Sequence, residues 1–261
     1  MSRSFSLAAL PLLALSLVPA CASSNTDDEL LADSSDQASL DGKADGAADG
    51  AYTYYEILKD HRLCASPTCG GFFLARLNRT TTVCAAGTTA AKCYTPVLDW
   101  SETNLDASQQ AKLVDAANKS TTQNGVYGIV RGRFAKKNTT TPQPQLGKFV
   151  VTEAWVAEGD VQAEGVFAKV FGNGIQCIAA PCPTLTEKGL NTSNQANIAD
   201  LDFTDAGLSD HEIQGFVDQY TAPSGIIIAG DRYTFKLSGR TGKGRTVTNG
   251  FHLLANASFP Q

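Results

Sequence analysis

The stretch CASPTCGGFFLARLN, residues 64–78, has a counterpart of the same length, CIAAPCPTLTEKGLN, at residues 177–191. In each stretch two cysteines five positions apart enclose a proline. In each, a Leu-Asn pair ends the stretch, with the Asn nine residues after the second cysteine. Similarity that recurs at constant spacing indicates a repeated structural unit.

Shorter matches continue in the same order along the chain. They pair residues 98–101 with 201–204, 105–114 with 208–217, and 125–132 with 225–230. The common order predicts two tandem related modules, residues 51–157 and 158–261, of which the second repeats the first. The alternative is chance similarity between β-rich segments. Cys84 and Cys93 fall in an insertion of about ten residues that only the first module carries.

Each module combines several short strands with one helix. The predicted strands are 52–58, 72–77, 126–134 and 149–156 in the first module, and 166–171, 184–190, 226–229, 233–237 and 251–254 in the second. Asp106 with Gln109, and Ser209 with Glu212, are typical of capping boxes at helix starts. Short strands separated by turn residues predict an α+β fold with mainly antiparallel sheet.

Residues 1–21, MSRSFSLAALPLLALSLVPAC, have the pattern of a secretory signal peptide: an early Arg, an apolar run and a small residue before Cys21. The ending LVPAC resembles a bacterial lipobox, in which the cysteine becomes the lipid-modified N-terminus. We therefore predict that Cys21 anchors the protein to a membrane. The alternative is an ordinary secreted protein in which Cys21 has no role.

Charge is distributed unevenly along the chain. Residues 22–50 contain eight acidic residues and one basic residue, and we expect them to form a disordered acidic tether. Residues 51–157 carry a net +5 and residues 158–261 a net −4, which favours docking of the two modules on each other. The nearly neutral body argues against a nucleic-acid partner.

If Cys21 carries lipid, six of the seven cysteines remain for disulfides. Proximity in the sequence favours three short-range pairs, namely Cys64–Cys69, Cys84–Cys93 and Cys177–Cys182. A zinc site built from the first four cysteines is the alternative. The spacing and an oxidising compartment argue against it, so we predict no metal and no cofactor.

Several segments together resemble a known family. They are residues 60–71 (DHRLCASPTCGG), 93–94 (CY), 130–133 (VRGR), 149–155 (FVVTEAW) and 173–183 (NGIQCIAAPCP). They resemble an uncharacterised family of exported myxobacterial-type (lipo)proteins, defined as a domain of unknown function. The resemblance implies a bacterial surface or periplasmic setting. It carries no activity and no catalytic residues.

Three functions are compatible with these patterns. The first is a non-enzymatic lipoprotein at the outer membrane or cell surface, with a protein or polysaccharide partner; a periplasm-facing position is also open. The second is a proteinase inhibitor that uses the rigid Cys-Pro loops at Pro67, Thr68, Ala180 and Pro181. The third is a hydrolase that uses the repeat-related carboxylates Asp99 and Asp202. Asp at the end of a strand is also good turn chemistry, and we favour that interpretation.

Two basic segments, 131–137 and 239–246, are expected to be hairpin loops. The second lacks the spacing of a phosphate-binding loop. The first is a candidate for contact with anionic lipid or polysaccharide.

Overall fold

The computed structural model describes residues 53–135 and 146–254. The predicted signal peptide, the predicted lipidation site Cys21 and the expected acidic tether lie outside the described residues. The elements of the first half are β1 (Thr53–Lys59), β2 (Phe72–Arg76), β3 (Thr82–Val83), β4 (Thr89–Ala90), β5 (Cys93–Thr95), β6 (Leu98–Asp99), α1 (Ala107–Gln123), β7 (Gly128–Ala135) and β8 (Lys148–Ala157). Those of the second half are β9 (Val166–Gly172), β10 (Leu185–Gly189), β11 (Gln195–Ile198), β12 (Asp200–Asp202), a 3-10 turn (Thr204–Ala206), α2 (Asp210–Tyr220), β13 (Ile226–Gly230), β14 (Arg232–Leu237), β15 (Arg240–Thr246) and β16 (Asn249–Leu253).

One large sheet contains strands from both halves. Its order is β11-β10-β9-β13-β16-β8-β7-β1-β2-β5, with β6 paired to β8. The order reads alike from both ends if β1, β2, β5, β7 and β8 correspond to β9, β10, β11, β13 and β16. The central neighbours β8 and β16 are antiparallel, with Trp155 opposite Leu253. The predicted α+β class is confirmed. A tandem duplication would produce this symmetry, and the duplication itself stays a prediction.

Both predicted capping boxes are present. The side chain of Asp106 accepts a hydrogen bond from the Gln109 amide at 2.9 Å, and the Gln109 side chain accepts one from the Asp106 amide at 3.2 Å. Ser209 and Glu212 make the equivalent pair of contacts at the start of α2. These contacts satisfy amides that a helix start otherwise leaves without partners, so each helix begins where the sequence indicated.

The expectation that residues 239–246 form a loop is wrong. Only Ser238 and Gly239, both with positive φ, turn the chain, and Arg240–Thr246 is strand β15 between β14 and β12. Gly242 and Gly244 lie under the rings of Phe235 and Tyr233, where a Cβ would approach ring atoms to 2.5 Å. These glycines make room for aromatic rings across the strand pair. Similarly, residues 131–135 belong to β7; residues 136 and 137 lie outside the described residues.

The large sheet has two hydrophobic clusters on the face that the helices cover and one on the other face. Neighbouring residues of a strand point to opposite faces. Val130 packs on the α1 side and Ile228 on the α2 side, whereas Ile129 and Ile227 belong to a cluster on the other face. We call that other face the inner face. Its buried residues come from both halves: Leu77, Ile129, Trp155, Ala163, Phe167, Leu190, Ile227, Ala229 and Phe251.

Two asparagines join the halves reciprocally. The Asn191 amide nitrogen donates to the carbonyls of Tyr54 at 2.7 Å and Leu77 at 2.9 Å, while its oxygen accepts from the Tyr54 amide at 2.9 Å. The Asn78 side chain makes the corresponding contacts with Phe167 and Leu190, at the same three distances. Each carboxamide therefore fills the open end of the other half's first hairpin. We call this arrangement the asparagine interlock.

The interlock requires the sheet to curl. β1 and β9 are five strand steps apart, so in a flat sheet they would be about 24 Å apart. Yet Leu190 donates its amide to Phe167 at the start of β9, while the next residue, Asn191, bonds to Tyr54 at the start of β1. Hydrogen bonds and a shared core thus join the halves. One ion pair also joins them. It links Lys119 of the first half to Asp160 of the second, with the signs of charge expected from the net charges of the two modules.

We predict that Asn78→Gly and Asn191→Gly each lower the free energy of unfolding by about 2–3 kcal/mol, because backbone groups at the hairpin ends lose their partners. Glycine tolerates the positive φ of these residues, 55° and 56°, so the substitution tests the carboxamide alone. Urea unfolding of the full chain measures the change.

Asn124→Gly is the matched control, because Asn124 has φ 54° at the end of α1 and lies outside the interlock. We expect this substitution to change stability by less than about 0.5 kcal/mol. Equal effects at all three positions would contradict the assigned role of the interlock.

Candidate functional site

The disulfides expected from proximity are present: Cys64–Cys69, Cys84–Cys93 and Cys177–Cys182. The first and third close the two Cys-Pro loops. These loops connect β1 to β2 and β9 to β10, at the hairpin ends remote from the interlock. Five antiparallel pairings lead from β1 to β9, so the two hairpins leave the interlock in opposite directions. The structure therefore does not bring the two loops together.

A buried carboxylate anchors the first loop. Asp60, which is 3% exposed, accepts hydrogen bonds from the Arg62 guanidinium at 2.9 and 3.0 Å and from the Gly70 amide at 3.2 Å. These hydrogen bonds, with Arg62 first, lower the pKa of Asp60. Arg62 also donates to the Thr68 carbonyl, and the Tyr94 hydroxyl donates to the Pro67 carbonyl. The backbone of the loop is therefore held by hydrogen bonds from the Arg62 and Tyr94 side chains.

The four residues predicted to bind a partner occupy different positions on these loops. Thr68 and Ala180 are exposed, whereas Pro67 and Pro181 are half-buried. The Thr68 hydroxyl is directed back to the Ala65 carbonyl at 2.5 Å. Each loop also carries a fully exposed apolar side chain that no sequence pattern indicated, Leu63 in the first and Ile178 in the second.

Asp99 and Asp202 both act as turn acceptors. Each carboxylate accepts the amide hydrogen of the residue two positions later, Ser101 or Thr204, at 3.0 Å. A hydrogen bond from Lys148 lowers the pKa of Asp99 to about 2, and hydrogen bonds from Thr204 lower the pKa of Asp202. The two residues lie in different sheets, beside β8 and β15. Their geometry fits the turn interpretation and gives no support to a joint acid–base role.

A cluster on the inner face is not among the sites that the sequence patterns indicated. Its centre is Glu153, whose carboxylate accepts hydrogen bonds from Arg131 at 2.6 Å, from the Trp155 indole at 3.2 Å and from the Tyr54 hydroxyl at 3.3 Å. The Trp155 ring is fully buried and the Tyr54 ring is half-buried, whereas Arg131 retains 37% of its side-chain exposure. One acidic group thus organises three side chains from β1, β7 and β8.

The second half adds two lysines to this cluster. The Lys169 ammonium lies 5.3 Å from the Trp155 ring centre, and the Lys188 ammonium lies 5.3 Å from that of Phe171. Burial, together with the charges of Arg131 and Lys188, lowers the pKa of Lys169 against the opposing effect of Glu153. We define the inner cluster as Tyr54, Arg131, Glu153, Trp155, Lys169, Phe171 and Lys188.

The inner cluster contains three cations and one carboxylate, so it has an excess of positive charge beside aromatic rings. Such a surface can bind an anionic group. In the sequence, Glu153-x-Trp155 and Lys169-x-Phe171 place polar and aromatic residues on one face of a strand. This pattern could have indicated the candidate residues on each strand. It could not have predicted that β9 comes close enough to β8 for Lys169 to contact Trp155. Within residues 53–135 and 146–254, no three His, Cys, Asp or Glu side chains group as a metal site would require.

Glu56 lies on the same inner face, two residues after Tyr54. Burial raises its pKa to about 7, against the opposing effect of Lys92. A raised folded-state pKa means that this residue's contribution to stability is present below the unfolded value of about 4.5 and is lost as the pH rises through 7.

We therefore predict that Glu56→Gln stabilises the protein at pH 8, by up to about 3 kcal/mol, and has little effect at pH 4. Urea unfolding at the two pH values measures the difference. Glu164→Gln, the same change at an exposed position, is the control. An equal effect of Glu56→Gln on the free energy of unfolding at both pH values would contradict a raised pKa for Glu56.

The family described as a domain of unknown function, DUF6748, matches residues 53–258, which is most of the chain. The match agrees with the resemblance to a domain of unknown function found in the sequence. No curated protein and no solved structure matches the chain. The chain therefore belongs to the DUF6748 family of domains of unknown function.

Proposed function

We propose that this protein is an exported lipoprotein, anchored at Cys21, whose folded body binds a partner in the cell envelope and performs no catalysis. Three disulfides support an oxidising compartment outside the cytoplasm. The signal-like segment 1–21 and the acidic segment 22–50 support anchoring through a tether. Neither helix of the described residues has the length and apolar character needed to cross a bilayer.

The inner cluster is the observation that carries the binding function. Its side chains come from both halves and stand on strands that the asparagine interlock holds together. Arg131 and Tyr54 are positioned by Glu153 before any ligand arrives. Side chains that are already ordered lose less conformational entropy on binding, so the cluster is suited to recognition.

The Cys-Pro loops offer a second binding surface, with Leu63 and Ile178 as exposed apolar contacts. This feature favours the proteinase-inhibitor alternative. The first loop opposes it, because the carbonyls of Ala65, Pro67 and Thr68 already accept hydrogen bonds from within the protein. The inner cluster is therefore the better supported surface.

The binding function is tested with envelope fragments from the bacterium that makes the protein. We expect the full chain with Cys21→Ala to sediment with these fragments and to leave the rates of a panel of serine and cysteine proteinases unchanged. Inhibition of any proteinase would favour the Cys-Pro loops instead, and absence of sedimentation would refute envelope binding.

We predict that Cys21→Ala moves the protein from the membrane fraction to the aqueous fraction and abolishes incorporation of a labelled fatty acid. The physical reason is that acyl chains supply the membrane affinity. Thr26→Ala, a change in the tether that keeps the cysteine, is the control. Membrane association that survives Cys21→Ala without label would refute anchoring through this residue.

A further inference from the structure

Two lysines of the inner cluster lie directly opposite each other. Lys169 in β9 pairs with Lys188 in β10 in the antiparallel register, and both side chains point to the inner face. Residues paired in this way have Cβ atoms about 5 Å apart, and like charges at such positions destabilise a sheet. The Lys169 ammonium lies over the Trp155 ring, and the Lys188 ammonium lies over a different ring, that of Phe171.

The carboxylates nearest to this pair are bonded to other side chains. Across the described ranges, neither lysine forms an ion pair or a hydrogen bond with a carboxylate. Glu153 is already shared by Arg131, Tyr54 and Trp155. Glu187, the residue before Lys188, is fully buried on the opposite face and binds Arg232 and Arg245.

We infer that Lys169 and Lys188, together with Arg131, bind the carboxylate groups of an acidic polysaccharide. This inference rests on the proposed function and specifies its ligand. A carboxylate placed between the lysines would relieve their repulsion, and Arg131, which Glu153 already holds in place, adds positive charge to the same surface. The destabilisation that the two like charges cause in the unliganded protein is then a consequence of a site that binds an anion.

The surroundings of the lysines favour a sugar polymer over a nucleic acid. The half-buried rings of Tyr54 and Phe171 lie under Arg131 and Lys188, so the exposed parts of these rings give the C–H groups of a sugar ring apolar contacts next to the cations. The folded body has nearly no net charge, with 19 basic and 18 acidic residues in 51–261. Nucleic acids carry a dense line of phosphates and are bound by strongly basic surfaces, which this body lacks.

Titration calorimetry with polygalacturonate tests the site in the full chain with Cys21→Ala. We expect Lys169→Gln with Lys188→Gln to weaken binding at least tenfold. Lys236→Gln with Lys243→Gln removes the same charge from exposed positions of β14 and β15, and this control should stay within twofold. Dextran, an uncharged polymer, should not bind to any of the proteins.

Thermal unfolding without polymer separates a binding role from a structural one. Because the substitution removes a repulsive pair, we expect the melting temperature of Lys169→Gln with Lys188→Gln to stay unchanged or to rise by about 2 °C. Polygalacturonate should raise the melting temperature of the unsubstituted protein and not that of this variant. A clear fall in its melting temperature would show that the lysines support the fold, and would overturn the inference.

The remaining outcomes distinguish the ligand class from the proposed function. Equal binding of dextran, or tighter binding of duplex DNA or polyphosphate than of polygalacturonate, overturns the polysaccharide assignment. Sedimentation with envelope fragments in the absence of polygalacturonate binding overturns this inference and leaves the proposed function standing. Failure of both measurements overturns both.

Discussion

The reciprocal insertion of two carboxamides is the constraint on which the structure depends. Beyond the last hydrogen bond of a strand pair, backbone amides and carbonyls have no partner within the pair. Here the Asn191 side chain bonds to such groups at the end of the first hairpin, and the Asn78 side chain bonds to those of the second. A side-chain amide has two N–H donors and a carbonyl acceptor, so it can bond to two backbone carbonyls and one backbone amide at the same time. Because each half supplies the group that the other lacks, neither hairpin end is complete without the opposite half.

This constraint also explains the position of the inner cluster. The interlock brings the start of β9 to the start of β1, and the curled sheet then carries Lys169 over Trp155 of the other half. In a flat sheet the two strands that bear these residues would be three steps, about 14 Å, apart. The contact between the charges of one half and the rings of the other is thus a consequence of the closure. The first half's buried Asp60 stabilises only its own loop and contributes nothing to this contact.

Some parts of the structure could be predicted from local sequence. Capping boxes, short-range disulfides and turn carboxylates depend on residues within ten positions of one another, so their chemistry is visible in the chain. The strand at Arg240–Thr246 was missed because Gly242 and Gly244 imitate a loop. Their role depends on the rings of Tyr233 and Phe235, which lie across a strand pair. A glycine that makes room for a neighbouring ring has the same sequence signal as one that turns the chain.

By itself the sequence determined the class of fold, the starts of both helices, the disulfides and the recurrence of a Leu-Asn pair in each half. It could not show that the asparagines bond across the halves, because a side-chain amide bonds to whichever backbone lies within about 3 Å. Only the tertiary structure brought Tyr54 to Asn191 and Lys169 to Trp155, residues far apart in the chain. Strand alternation assigns a residue to a face, but curvature decides which faces meet. The site that we propose was therefore decided by the closure of the sheet.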